Sequence, residues 1–230
     1  MKRQHVIERM QKSQGQLARR SSMGAAISLV HGGSLDVGLV EARNRRGDHE
    51  LNDINMRPPT LLVPAAVLVP LVSRPGGFTI LLTERAADMR SHAGQISFPG
   101  GRIDPEDASP EHAALREAHE EIGMPHDAAE VIGRLDTYDV RTGFAVTPVV
   151  GIVEPGLEMI YEPGEVADVF EVPLSFILDP ANHERHNRLI RGKRRYFYAL
   201  PFEKRYIWGA TAGMLINLYE VLTGQTARWR

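Results

Sequence analysis

Glu117, Glu120 and Glu121 fall in the stretch ALREAHEEIGM (residues 114–124). Their i, i+3, i+4 spacing places three carboxylates on one face of a helix. Leu115, Ala118 and Ile122 give the opposite face an apolar seat. Like charges at that spacing repel, and a carboxylate is costly to bury unpaired. A hard divalent cation is the natural partner, because oxygen-only donors select Mg²⁺ or Mn²⁺ over zinc or copper. A solvated acidic face would show the same spacing, so the surrounding elements must decide.

Those elements have clear local signals. Ser109 is a good N-cap, and Pro110 falls at the first helical position, where a missing N–H costs nothing. Gly123 supplies a left-handed C-terminal residue, Met124 the apolar contact after it, and Pro125 blocks continuation. The spacing therefore predicts a helix of about 12–13 residues, near the usual mean. Before it runs ISFPGGRIDPED, read as a strand end followed by a Pro-Gly-Gly turn. Gly100 and Gly101 would let the backbone approach a ligand closely. A strand, a glycine-rich loop and a carboxylate-bearing helix in succession make a phosphate-and-metal site.

The segment GGRIDPEDASPEHAALREAHEEIGM (residues 100–124) resembles the Nudix box, whose core is Gly…Arg-Glu-x-x-Glu-Glu-x-Gly. Arg116, Glu117, Glu120, Glu121 and Gly123 occupy the matching positions. Two departures stand out: the interval from Gly101 to Arg116 is one residue longer than in the generic box, and Asp107 replaces the early Glu. The coenzyme A pyrophosphatase branch of the Nudix hydrolases carries the same lengthened loop. Upstream, LLTERAADMRSHAGQISFPGG (residues 81–101) resembles the second signature of that branch, LLTxR(S/A)xxxRxxxGxxxFPGG. Looser similarity runs over residues ~60–224 and includes IWGATA near the C-terminal end, with boundaries good to a few residues.

The resemblance implies an α/β fold, a Nudix-type α/β/α sandwich with a mixed sheet. It also implies metal-dependent hydrolysis of coenzyme A or acyl-coenzyme A to 3′,5′-ADP and 4′-phosphopantetheine. Mg²⁺ or Mn²⁺ held by Glu117, Glu120 and Glu121 would neutralise the diphosphate, template it and acidify a water. Glu117 and Glu121 are the firmest ligands on this reading, with Glu120 a third ligand or a base. Arg116 lies about 100° around the helix from Glu117, so its expected role is to pair with a box carboxylate and hold its rotamer. Glu165, in YEPGEVADVF, resembles a glutamate that many Nudix enzymes place near the metals, which makes it a candidate proton acceptor. Arg85, Arg90, His92 and Gln95 lie in the upstream signature as candidates to grip phosphate or nucleotide, with Gly100 and Gly101 bringing backbone to it. The structural alternative for the arginines is an ion pair with Glu84 or Asp88, and for His92 a backbone hydrogen bond. RGKRR (residues 191–195) reads as a solvated hairpin tip more readily than a 3′-phosphate clamp. Tyr196, Phe197, Tyr198 and Phe202 read as sheet packing. His183 and His186 lack further clustered ligands and suggest no zinc site.

Composition sets outer limits. The 230 residues, 43% hydrophobic, suit one domain with an extension: residues 1–58 as an N-terminal arm and 59–230 as the hydrolase domain. A net charge of -2 argues against a general nucleic-acid binder. The absence of cysteine excludes disulfides and thiolate chemistry and is compatible with a cytoplasmic location. LLVPAAVLVPLV (residues 61–72) is too short to span a bilayer and reads as a buried strand. The first 40 residues offer two modest helical or strand-like patches, with Val6, Ile7, Met10 and Leu17 forming an apolar helix face; the arm is a candidate homodimer element. Residues 41–59 read as an irregular linker. Further expectations are strands at 62–72 and 77–84, and strand-like VIGRLDTYDV and FAVTPVVGIV. EVADVFEVPLSFILD is read as a connecting segment with a helical turn, NRLIRGKRRYFYALPF as a hairpin across Gly-Lys, and about 207–223 as a last helix. Two other functions stay open on sequence: a Nudix hydrolase of another nucleoside diphosphate, such as ADP-ribose, NADH or a dinucleoside polyphosphate, and a non-catalytic nucleotide-binding module.

Overall fold

The computed structural model describes residues 1–30, 45–52, 61–87, 94–162, 164–190 and 192–227. In chain order the elements are α1 (Arg3–Val30), β1 (Arg45–Gly47), β2 (Val63–Arg74), β3 (Gly77–Arg85), β4 (Ile96–Ser97) and β5 (Gly100–Arg102). Then come α2 (Pro110–Ile122), β6 (Ala129–Arg134), β7 (Thr137–Val140), β8 (Phe144–Val153), β9 (Val166–Pro173) and α3 (Leu174–Ile177). The chain ends in β10 (Glu184–Ile190), β11 (Lys193–Phe202), β12 (Arg205–Trp208) and α4 (Ala210–Thr223).

β2 is the strand on which the rest is organised. Ala65, Val69 and Leu71 point into one core cluster, while Ala66, Leu68 and Val72 point into another. Burial on both faces is why this segment reads as a continuous apolar run instead of an alternating one. β2 runs antiparallel to β3 and parallel to β8, the latter in register from Val63↔Phe144 to Val72↔Val153. The main sheet follows the order β1-β7-β8-β2-β3-β4, with β5 pairing β2, β6 pairing β8 and β9 pairing β3. α2 covers one face through Ala113, Ala114, Ala118 and Ile122. α4 and the start of α1 cover the other, through Leu215, Leu218, Leu222, Val6 and Met10. A mixed sheet between two helical layers is the expected α/β/α sandwich.

α2 has the bounds its caps dictate. The Ser109 hydroxyl accepts from the His112 amide at 3.3 Å, and Gly123 sits at φ 68° after the last helical residue. The strand expectations for β2, β3, β8 and the β6–β7 pair also hold.

Elsewhere long-range pairing overrides the local reading. The two patches expected in residues 1–40 are one helix over Arg3–Val30, while residues 31–44 lie outside the described part. Within the expected linker, Arg45–Gly47 forms β1, parallel to β7, and a 3₁₀ turn follows over Asp48–Leu51. The connecting segment after Glu165 is the strand β9, paired with β3 from Thr79↔Pro173 to Arg85↔Val166. Pro-Gly-Gly leads straight into β5, which pairs with β2. The final helix starts at Ala210, because Ile207 and Trp208 pair with Leu200 and Ala199 as a third strand of the small sheet. The hairpin before it pairs Ile190 with Lys193, so Lys193 belongs to β11 and not to the expected Gly-Lys turn.

The apolar side of α1 is used within the chain: Val6 and Met10 have no exposed surface. Arg9 donates to the Val221 carbonyl at 3.1 Å and Gln14 to the Arg134 carbonyl at 2.6 Å. Met10→Ala should therefore lower stability by about 2–5 kcal/mol, the usual cost of emptying a buried methionine site. Urea unfolding is the measurement, and an unchanged midpoint would show that α1 does not close the core.

Candidate active site

β5 and α2 bring the glycines and glutamates together. Gly100 and Gly101 pair with Val67 and Ala66 of β2, and each carries a steric requirement of its own. A Cβ on Gly100, at φ 151°, would come within 2.4 Å of the Ala66 carbonyl oxygen. A Cβ on Gly101 would fall 2.5 Å from all three carboxyl atoms of Glu117. The glycines thus let Glu117 lie directly on the strand, with α2 seated one layer above it.

Glu121 is 5% exposed. Its Oε2 accepts from the Gly100 amide at 3.1 Å, and Oε1 lies 3.8 Å from Nη1 of Arg85 at the end of β3. Burial raises its pKa to about 7, against the lowering effect of that amide and of Arg85; the charges of Glu117 and Glu165 raise it further. Burial also raises Glu117, while Arg116 works against the shift. In each, desolvation outweighs the lowering exerted by the neighbouring arginine. Glu120 differs: its side chain is 55% exposed and rests on Arg116 at 3.0 Å.

Arg116 pairs with two carboxylates of α2 and with the loop before it. Its Nη1 donates to Glu117 at 3.1 Å and to Glu120 at 3.0 Å. Nε and Nη2 reach the two oxygens of Asp107 at 3.1 and 2.9 Å, and Nη2 also donates to the Arg102 carbonyl. Asp107, 1% exposed, additionally accepts from the Asp104 amide and meets His112 at 2.8 Å. The guanidinium holds the Asp107 carboxyl well below the usual carboxylate range. The replacement of Glu by Asp107 is therefore the anchor of the arginine, a role that spacing alone did not expose.

A second loop completes the surroundings. The Glu162 amide donates to the Glu121 carbonyl at 3.2 Å, and Ile160 packs against Gly123, where a Cβ would meet its carbonyl at 2.7 Å. Glu165 accepts through its carbonyl from the Ala86 amide at 2.9 Å, next to Arg85. Gln95 accepts through its carbonyl from the Arg85 amide at 3.0 Å. The structure thus gathers Glu117, Glu121, Arg116, Arg85, Gln95, Gly100, Gly101 and Glu165, and leaves Glu120 on the rim. Arg90 and His92 lie outside the described residues. Among those described, no group of three or more acidic or imidazole side chains is placed to hold a metal ion. Elsewhere His183 is buried, bonded to the Ile177 carbonyl and packed edge-on against Tyr219, while His186 meets Glu184 and Tyr206.

Three comparisons bear on this arrangement. The NUDIX domain model matches residues 62–192. The protein named "Uncharacterized Nudix hydrolase NudL" of Photorhabdus laumondii is 44% identical over 154 residues, 67% of this chain and 82% of that protein. Its namesake in Citrobacter koseri is 47% identical over 156 residues, 67% of this chain and 80% of that protein. Among solved structures, a Nudix hydrolase from M. smegmatis, RenU, aligns with TM-score 0.43 and 27% identity over 49% of this chain and 71% of that one. No helix among the described residues is long and apolar enough to cross a membrane.

The raised pKa of Glu121 has a thermodynamic consequence. The folded carboxyl titrates near 7 and the unfolded one at 4.5. Between these values the folded state binds more protons, so stability falls as pH rises. In protein freed of divalent ions, Glu121→Gln should match the wild type at pH 4 and exceed it at pH 8 by up to about 2–3 kcal/mol. Chemical denaturation at the two pH values measures this; a variant less stable than wild type at pH 8 would contradict the electrostatic account.

Proposed function

The chain belongs to the Nudix hydrolases, enzymes that cleave a pyrophosphate bond, and from that premise we propose that its substrate is coenzyme A or an acyl-coenzyme A. The observation that carries this reading is Arg85. It belongs to the LLTER…FPGG stretch that resembles the coenzyme A branch, and it lies 3.8 Å from Glu121 of the box. Substrate-gripping and metal-holding candidates thus meet at one point. Coenzyme A is an intracellular metabolite, so the reading brings a cytoplasmic location with it.

The donor set suits Mg²⁺ or Mn²⁺. Mg²⁺ is ordinarily bound by one or two carboxylates, with waters and substrate phosphates completing the shell, so a closed protein cage is not required. Glu121 is a buried and Glu117 a half-buried oxygen donor, and both lie against the glycine strand, Glu121 at the Gly100 amide and Glu117 over Gly101. They would hold the ion, with Glu120 joining from the rim. When bound, the ion supplies charge neutralisation at the diphosphate and a more acidic water.

The protein's own groups supply the remainder. Arg116, fixed at Asp107, keeps Glu117 in the rotamer that faces Gly101. Arg85 offers a guanidinium with a buried Nε that has no hydrogen-bond partner among the described residues, a donor suited to a phosphate oxygen. Glu165, exposed and held beside Arg85 by the Ala86 contact, is the proposed proton acceptor.

A substrate panel with Mg²⁺ or Mn²⁺ tests the reading. Coenzyme A should be cleaved fastest, releasing 3′,5′-ADP, and faster cleavage of ADP-ribose or NADH would replace it with a different nucleotide substrate. Glu121→Gln should reduce turnover by at least ~10²-fold, by analogy with other preorganised electrostatic groups, while keeping the fold. Near-normal turnover in that variant would remove Glu121 from the metal site.

A further inference from the structure

The small sheet carries positive charge that the candidate active site does not use. Its three strands contain Arg185, Arg188, Lys193, Arg194, Arg195 and Arg205 against the single carboxylate Glu184. Glu184 is engaged by His186, with Nε2 2.5 Å from its Oε2. β10 and β11 place Arg188 directly opposite Arg195. Opposed residues share a face, and like charges there repel.

Both arginines are prepared for an anion. The guanidinium of Arg188 lies over the Trp208 ring at 4.9 Å and near the Phe197 ring at 5.7 Å, and the two rings meet edge to face at 5.3 Å. Stacking of this kind retains the charge and leaves the donors in the guanidinium plane available. In Arg195, Nε and Nη1 are removed from solvent and have no hydrogen-bond partner among the described residues. A buried cationic donor without a partner is costly, and a phosphate oxygen satisfies such a donor well. β12, which carries Trp208, lies against β4 of the main sheet. The Thr211 hydroxyl, just beyond β12, donates to the Ile96 carbonyl at 2.9 Å. Ile96 is four residues before Gly100, at most about 14 Å of chain.

We propose that Arg188 and Arg195 form a phosphate-monoester subsite, which receives the ribose 3′-phosphate of the nucleotide whose diphosphate lies at Glu117 and Glu121. This assignment rests on the coenzyme A reading for its ligand. Arg188 serves as the oriented fork and Arg195 as the partly desolvated second donor. The aromatic pair acts by holding Arg188 flat.

Fluorescence of Trp208, in full-length protein carrying Trp229→Phe, reports the site directly because Arg188 covers its ring. Adenosine 3′,5′-bisphosphate and adenosine 5′-phosphate are titrated as probes. The bisphosphate should bind about tenfold tighter, the scale of one well-placed charge-assisted contact. Arg188→Gln and Arg195→Lys should each reduce that preference to about twofold or less, with the 5′-phosphate affinity and thermal midpoint unchanged; the lysine keeps the charge and removes the fork. A preference that survives both substitutions, or is absent in the wild type, overturns the subsite. Coenzyme A turnover is followed in parallel. Failure to cleave coenzyme A with the bisphosphate preference intact overturns the substrate and leaves the subsite standing, whereas cleavage without the preference does the reverse.

Discussion

A carboxylate kept out of water beside a backbone amide constrains everything near it. Glu121 can be buried only because α2 is pinned flat on the sheet by Ala114, Ala118 and Ile122. It can accept from Gly100 only because β5 runs along β2 with no side chain at that position. β2 in turn holds its place by pairing with β3, β5 and β8 and by burial on both faces. The packing that makes the helix stable is the same packing that isolates the charge. Burial of this kind lowers stability in the ion-free protein and strengthens attraction for a cation, so one term acts against the fold and in favour of the chemistry.

The second constraint is the Arg116 knot. One guanidinium joins the loop after β5, through Arg102 and Asp107, to two glutamates of α2. Asp107 is almost wholly out of solvent, so screening weakens this contact far less than an ordinary surface pair. Without it, the stretch between β5 and α2 would be tied mainly by its own turns and the Ser109 cap.

What could be read from sequence depended on whether the cause was local. The bounds of α2 follow from Ser109, Pro110 and Gly123, which act within a turn of where they stand. β2 and β3 follow from apolar content alone. The carboxylate spacing was legible, but not that packing would bury Glu121 and leave Glu120 on the rim with Arg116. β1 and β9 were not legible, because neither has an apolar run of its own: Arg-Arg-Gly becomes a strand only against β7, and Val-Ala-Asp-Val-Phe-Glu only against β3. Ile207 and Trp208 read as helix until Leu200 and Ala199 are placed beside them. Asp107 was visible as an anomaly of the motif, but its function appears only when the chain folds it under Arg116. Arg188 and Arg195 acquire their meaning in the same way, from a hairpin register whose opposed pairs cannot be seen along the chain.

The seat of α1 bears on how the protein emerges from the ribosome. Val6 and Met10 precede by about 205 residues the Leu215, Leu218 and Leu222 of α4 that share their cluster (215 − 10 = 205). At ordinary elongation rates of about 5–20 residues per second, that apolar side waits on the order of ten seconds or longer for its partner. The central strands can assemble meanwhile, but one layer of the sandwich stays open until α4 has been made. Nascent chains of this protein therefore display a hydrophobic stripe throughout the interval between α1 and α4, which is the condition under which chaperone capture competes with folding.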